Sequence, residues 1–292
     1  MNRRTFITTV AGSAVLSSVA KADWLKPLLQ QSEDDATICR RKFELAVSLG
    51  LQKKPIGDAI VEIGKSFLGT PYLAHGIEAP GEEHLIVNMR GLDCVSFYEN
   101  SLVLARCVKM NAMTFDDYKK QLMLIRYRNG VINGYTSRLH YTSDYFYEDA
   151  QKGIWKEMTE ELGGVPFIKV IDFMSTHPEA YLQLKEHPEF IPIIKKQEEE
   201  ITKRKKFYIP KENVAAIVDK LQNGDIIGTT TDIEGIDTSH TGILIWQDKE
   251  LHFMHAPLAG GKVEISDVPL PEYLARNKGQ TGIMVVRPLE PA

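Results

Sequence analysis

Cys94 follows Asp93 directly and opens a run, 94–110, that is apolar almost all round. That composition predicts a buried helix with the cysteine in its first turn. Unpaired backbone N–H groups and the positive end of the helix dipole stabilise a thiolate at such a position. The same N–H groups can hold an oxyanion, so one place supplies a nucleophile and part of the stabilisation that acyl transfer needs. Taken alone, a cysteine at a helix start is more often a structural thiol, so a base must be found elsewhere in the chain.

The candidate base is His240, in Ser239-His240-Thr241-Gly242-Ile243, with a second histidine, His255, in Phe253-Met254-His255-Ala256. Both segments read as strands. A two-residue turn at Asp248-Lys249 pairs Gln247 with Glu250 and sets His255 opposite Gly242, leaving His240 and His255 diagonal on one face. Backbones there are roughly 7 to 8 Å apart, and imidazoles can meet across the space that Gly242 leaves. A three-residue turn would break this register. His252 falls on the other face and reads as structural.

The elements that must position these groups follow from hydrophobic periodicity. Helical spacing covers 34–51 and 56–68, then Gly69-Thr70-Pro71 stops it, and an irregular stretch rich in Gly, Pro and His runs to residue 92. Residues 115–208 are mixed, with helices expected near 118–127 and 144–152 and further ones broken by Pro178, Pro188 and Pro192. The charged stretch 195–206 reads as a solvated helix face. Beyond Gly224 come short apolar runs at 225–230, 241–247, 251–256, 262–266 and 282–287, separated by turn residues. Helices first and strands last predict an α+β fold, with helices packed on one face of a C-terminal antiparallel sheet.

The chain has 292 residues and a formal net charge of -4, which argues against a nucleic-acid surface. Residues 1–22 read as a signal peptide: Arg3 and Arg4, an uncharged stretch, and Ala20-Lys21-Ala22 at the cleavage point. Export to the periplasm is expected, with 23–292 as a single catalytic domain. The paired arginines resemble a twin-arginine signal, with the general secretory route as the alternative. The apolar stretch is too short to span a bilayer, and no integral membrane segment is expected after its removal. Cys39, Cys94 and Cys107 are too few for a disulfide framework. On one helix, Cys94 and Cys107 would stand ~20 Å apart and cannot pair. Cys107 reads as a core thiol, and a pairing with Cys39 stays open.

Four motifs in order resemble the NlpC-type, papain-like peptidoglycan hydrolases: Gly69-Thr70-Pro71-Tyr72, Asp93-Cys94-Val95-Ser96, His240-Thr241-Gly242-Ile243 and His255-Ala256. The resemblance implies Cys94 as nucleophile, His240 as general base and then acid, His255 as the group orienting the imidazole, and Tyr72 lining the site. It implies a papain-like core with a large helical insertion, at about 115–212, because minimal members have a far shorter segment between nucleophile and base. Val95 stands where the family has Ser. The runs Asn88-Met89-Arg90-Gly91-Leu92-Asp93-Cys94 and Gly134-Tyr135-Thr136-Ser137-Arg138-Leu139-His140-Tyr141 resemble the N-acetylmuramoyl-L-alanine amidase-like subfamily. That subfamily implies cleavage between N-acetylmuramic acid, in its anhydro form, and L-alanine in small muropeptides, without metal or organic cofactor.

Arg138 and His140 lie in a loop where a guanidinium fork could hold a peptide carboxylate; the alternative pairs Arg138 with Asp144 or Glu148. Asp93 and Ser239, flanking nucleophile and base, are further candidates for the oxyanion or substrate side. Glu99 and Asn100 read as packing partners. Three rivals are weighed: a D-glutamyl-diaminopimelate endopeptidase, a zinc site of Cys94, His240 and His255, and a non-catalytic wall-binding module.

Overall fold

A computed structural model describes residues 34–292; the expected signal peptide lies outside them. Helices α1 (Asp35–Ser48) and α2 (Ile56–Lys65) precede the irregular stretch, and α3 (Cys94–Lys109) follows it. Next come α4 (Phe115–Arg126), α5 (Thr142–Gln151), and the short strands β1 (Trp155–Glu157) and β2 (Val165–Pro166). Short helices α6 (Phe173–Thr176) and α7 (Leu182–Glu186) lead to α8 (Ile191–Lys203), then β3 (Phe207–Pro210) and a 3-10 segment, Lys211–Lys220. The C-terminal part is β4 (Ile226–Thr231), β5 (Thr238–Gln247), β6 (Glu250–His255), β7 (Glu264–Ile265), α9 (Leu270–Arg276) and β8 (Gln280–Pro288). Asp35–Ala292 forms one compact unit.

The strands make one antiparallel sheet in the order β2-β3-β8-β4-β5-β6-β7, with β1 also on β8. Period-two alternation gives each face its own core. Ile226, Ile243, Ile245, Met254, Met284 and Val286 pack on the side of α2 and α3. Ile227, Leu244, Leu251, Phe253, Ile283 and Val285 pack with the 3-10 segment and α9 on the other. Helical cover on both faces differs from the single covered face expected. The 115–212 segment also differs from a purely helical insertion, since Trp155–Glu157 and Phe207–Pro210 both pair with β8.

Helix α3 is buried along nearly its whole length, so its polar residues need partners inside. Glu99 accepts from Arg126 of α4, Nη2 to Oε2 at 2.6 Å, and from the Tyr145 hydroxyl of α5 at 3.0 Å. Asn100 donates to Ser96 O at 2.7 Å and accepts from the Tyr118 hydroxyl at 2.8 Å. These two polar groups cross-link the helices under the site, as packing partners. Among the described residues all three cysteines are free, and Cys39 and Cys107 are buried. No described helix is long and apolar enough to cross a membrane.

Candidate active site

Asp93 caps α3: its Oδ1 accepts from Ser96 N at 2.7 Å, while Ser96 Oγ accepts from Asp93 N at 2.9 Å. The reciprocal bonds fix where the first turn begins, and with it where the Cys94 sulfur points. They also engage Oδ1 of the carboxylate at the helix end. Tyr72 reaches the same place because its segment pairs with the residue before the cap, Leu92 N donating to Pro71 O at 2.9 Å and Leu73 N to Leu92 O at 3.2 Å. Burial, with the neighbouring Cys94 and Asp93 adding, pushes the Tyr72 hydroxyl up.

The β5–β6 turn has the two residues expected. Asp248 and Lys249 both take positive φ, 50° and 71°, and Gln247 pairs with Glu250. The two positive φ angles are those of a type I′ turn, whose twist matches the strands. Gly242 leaves the required space, since a Cβ there would stand 2.6 Å from Met254 O and 2.9 Å from His255 Cβ. His240 Nε2 and His255 Nδ1 are 2.7 Å apart, their ring centroids 4.9 Å apart. His255 is buried, and His240 keeps its Nδ1 for another partner.

The Cys94 sulfur rests against Thr241, the residue after His240. No hydrogen bond of ordinary geometry joins that sulfur to His240 among the described residues. The electrostatics differ from the low-pKa thiol expected at a helix start. Burial, with the Asp93 carboxylate adding, pushes Cys94 up to about 11, while Thr241 and the helix's own N–H pull the other way. Burial holds His240 down to about 4, and burial together with His240 holds His255 down to about 3. Burial thus pushes the thiol and the two imidazoles alike toward their neutral forms.

A cavity of about 300 Å³ opens beside Cys94, lined by Tyr72, Asp93 and Val95 together with Arg138, His140 and Tyr141. The 115–212 segment thus supplies one wall. Arg138 is buried, but with neither alternative set of partners: Nη1 donates to Ile77 O at 2.7 Å, and Glu78 and Glu83 each stand 3.7 Å away. Asp144 and Glu148 belong instead to Arg128 and Arg204. His140 is stacked at a tilt on Tyr135, 4.6 Å between centroids, and burial holds it well below the usual imidazole range. Ser239 is exposed on β5 and does not line the cavity.

Tyr273 of α9 is a site residue that sequence reasoning missed. Its ring stands edge-on to His255, 5.2 Å between centroids, and burial pushes its hydroxyl up, with Cys94 among the lesser causes. Only the second core on the far face of the sheet brings it there, and no motif marks it. Among the described residues no three His, Cys, Asp or Glu side chains are grouped to hold a metal ion. Cys94, His240 and His255 therefore do not form the ligand set that the zinc alternative requires.

A family model described as AmiA-like, N-acetylmuramoyl-L-alanine amidase-like, matches residues 62–283. The chain belongs to this family. A crystal structure of an N-acetylmuramoyl-L-alanine amidase from Bacteroides uniformis ATCC 8492 is 35% identical, covers 80% of this chain and 98% of its own, and superposes with a TM-score of 0.76. A Bacteroides fragilis protein named as a candidate xylanase is 37% identical over 78% of this chain and 99% of its own, with a TM-score of 0.74. A Legionella pneumophila protein, 21% identical over 87% of this chain and 94% of its own, shares the fold at a TM-score of 0.67. No curated protein matches the chain.

Proposed function

We propose that the protein is a papain-like cysteine amidase that hydrolyses the amide between N-acetylmuramic acid, in its anhydro form, and L-alanine in peptidoglycan fragments. The observation that carries this reading is the 2.7 Å contact between His240 Nε2 and His255 Nδ1, with Thr241, the residue after His240, against the sulfur of Cys94 at a capped helix head. Because Nε2 is engaged, Nδ1 is the nitrogen left to take a proton, and the base must carry its own proton on Nε2, donated to His255. Membership of an amidase-like family and the Bacteroides uniformis amidase structure support the substrate class.

In this mechanism the Cys94 proton passes to His240 Nδ1 as sulfur attacks the amide carbonyl. The Cys94 N–H and the Tyr72 hydroxyl stabilise the oxyanion. His240 then gives the proton to the departing amine of L-alanine, and water, deprotonated by the same ring, releases the muramoyl carboxylate from the thioester. Mass spectrometry of digested muropeptides tests the bond: free sugar acid plus intact peptide is expected. Products cut within the peptide would replace this reading with the D-glutamyl-diaminopimelate endopeptidase. Export to the periplasm belongs to the same proposal, on the strength of the 1–22 segment. N-terminal sequencing of periplasmic protein should begin at Asp23, and a cytoplasmic chain beginning at Met1 would overturn it.

A further inference from the structure

Thr241 is the residue of β5 that faces the head of α3. Side chains alternate along the strand, so Thr241 shares a face with Ile243 and Ile245, which pack on the side of α2 and α3, while His240 and Gly242 share the other with Leu244. Thr241 pairs with Gly228 of β4, whereas pairing with β6 starts only at Ile243. The Cys94 sulfur meets the strand at this point, ahead of the β6 pairing, against both the side chain and the backbone of Thr241.

Thr241 is 2% exposed, and its Oγ1 has no hydrogen-bond partner among the described residues. The buried threonines around it differ. Thr229 Oγ1 donates to His240 O at 3.3 Å, Thr230 Oγ1 is paired with Thr281 Oγ1 at 2.7 Å, and Thr238 Oγ1 donates to Thr142 Oγ1 at 2.6 Å. A buried hydroxyl without a partner costs stability that a valine of the same shape would not cost, so its presence calls for a reason. Sulfur supplies one, being a weak acceptor as a thiol and a strong one as a thiolate. The charge that arises beside Oγ1 during attack is the charge on Cys94.

We propose that Thr241 Oγ1 is a donor reserved for the Cys94 thiolate, left unpaired by the fold so that its hydrogen bond forms as the sulfur gives up its proton. The thiolate then lies between donors from two elements, the N–H at the head of α3 and the hydroxyl on β5. Thr241 thereby acts on the reacting atom itself, beside the base rather than through it. This role rests on the reading of Cys94 as nucleophile and does not depend on which bond is cut.

The test compares Thr241→Val, which keeps the shape and removes the hydroxyl, with Thr241→Ser, which keeps the hydroxyl, each in the full mature chain. Iodoacetamide alkylation of Cys94 at pH 8 is followed by peptide mass. Loss of one hydrogen bond to a charged group lowers the thiolate fraction about tenfold. The less stabilised sulfur is intrinsically more reactive and recovers part of that. Thr241→Val should therefore react several-fold more slowly, while Thr241→Ser stays close to the unmutated rate. The thermal midpoint of Thr241→Val should be equal or higher, because no bond of the folded protein is lost. Alkylation of Thr241→Val at the unmutated rate would overturn the proposal. So would a lowered midpoint that Thr241→Ser restores, since that marks a hydroxyl already bonded before the sulfur ionises. Alkylation reads the sulfur with no substrate present, so product masses decide the amidase reading independently of this result.

Discussion

Helix α3 and the loop 75–86 border the same cavity, yet they are held in opposite ways. The helix is fixed locally and from below, by the Asp93–Ser96 capping box and by the buried Glu99 and Asn100 contacts. The loop has no regular structure and is held by side chains from distant segments. Arg126 donates to Ile86 O at 2.6 Å, Arg138 to Ile77 O at 2.7 Å, and Gln183 to Ala79 O at 2.7 Å and Gly81 O at 3.1 Å. The difference teaches that the position of Cys94 is set by the core, whereas the facing wall of the cavity is set by the inserted segment. Changes to that segment can then reshape what binds without moving the sulfur.

Arg126 serves both regions, through Glu99 and Ile86 O, and the largest effect is expected there. Arg126→Met leaves Glu99 buried without its partner and should cost about 3–5 kcal/mol in urea unfolding. A loss well below that would mean the helix does not depend on this ion pair. The next effect concerns the imidazoles. Their folded values, about 4 and about 3, lie below the free value of 6.5. The unfolded chain therefore binds more protons in between, so this stability is fully present above about 6.5 and is lost as the pH falls through about 4. Unfolding free energies at pH 7 and pH 4.5 should differ by on the order of a few kcal/mol. His255→Gln should flatten that slope, and an unchanged slope would show that the pair is not desolvated.

The smallest effect sharpens the comparison at the helix head. Asp93→Asn keeps a good cap but removes the charge that raises the Cys94 thiol. Stability should change by less than about 0.5 kcal/mol, while iodoacetamide alkylates Cys94 several-fold faster at pH 8. An unchanged alkylation rate would remove Asp93 from the electrostatics of the thiol.

Much of this site was legible in the sequence because its determinants are local. The Asp93 cap, the apolar run behind it, the two-residue turn at Asp248 and Lys249, and Gly242 each act within a few residues, and together they set the histidine register. The upward push on the Cys94 thiol was not legible: burial opposes the helix end there, and burial is a property of the fold. Strands β1 to β3 escaped because each is short and its partners are remote, as Trp155 opposite Pro288 shows. The clamps on the loop 75–86 escaped for the same reason, since Gln183 reaches back more than a hundred positions to grip Ala79 and Gly81. Tyr273 needed the second core, which only the assembled sheet reveals.

The central claim is that Cys94 is the nucleophile, and replacing that one atom tests it most directly. Hydrolysis of a purified muropeptide by Cys94→Ala, measured beside the unmutated protein at matched thermal stability, should fall to background. Turnover at the unmutated rate would contradict the account.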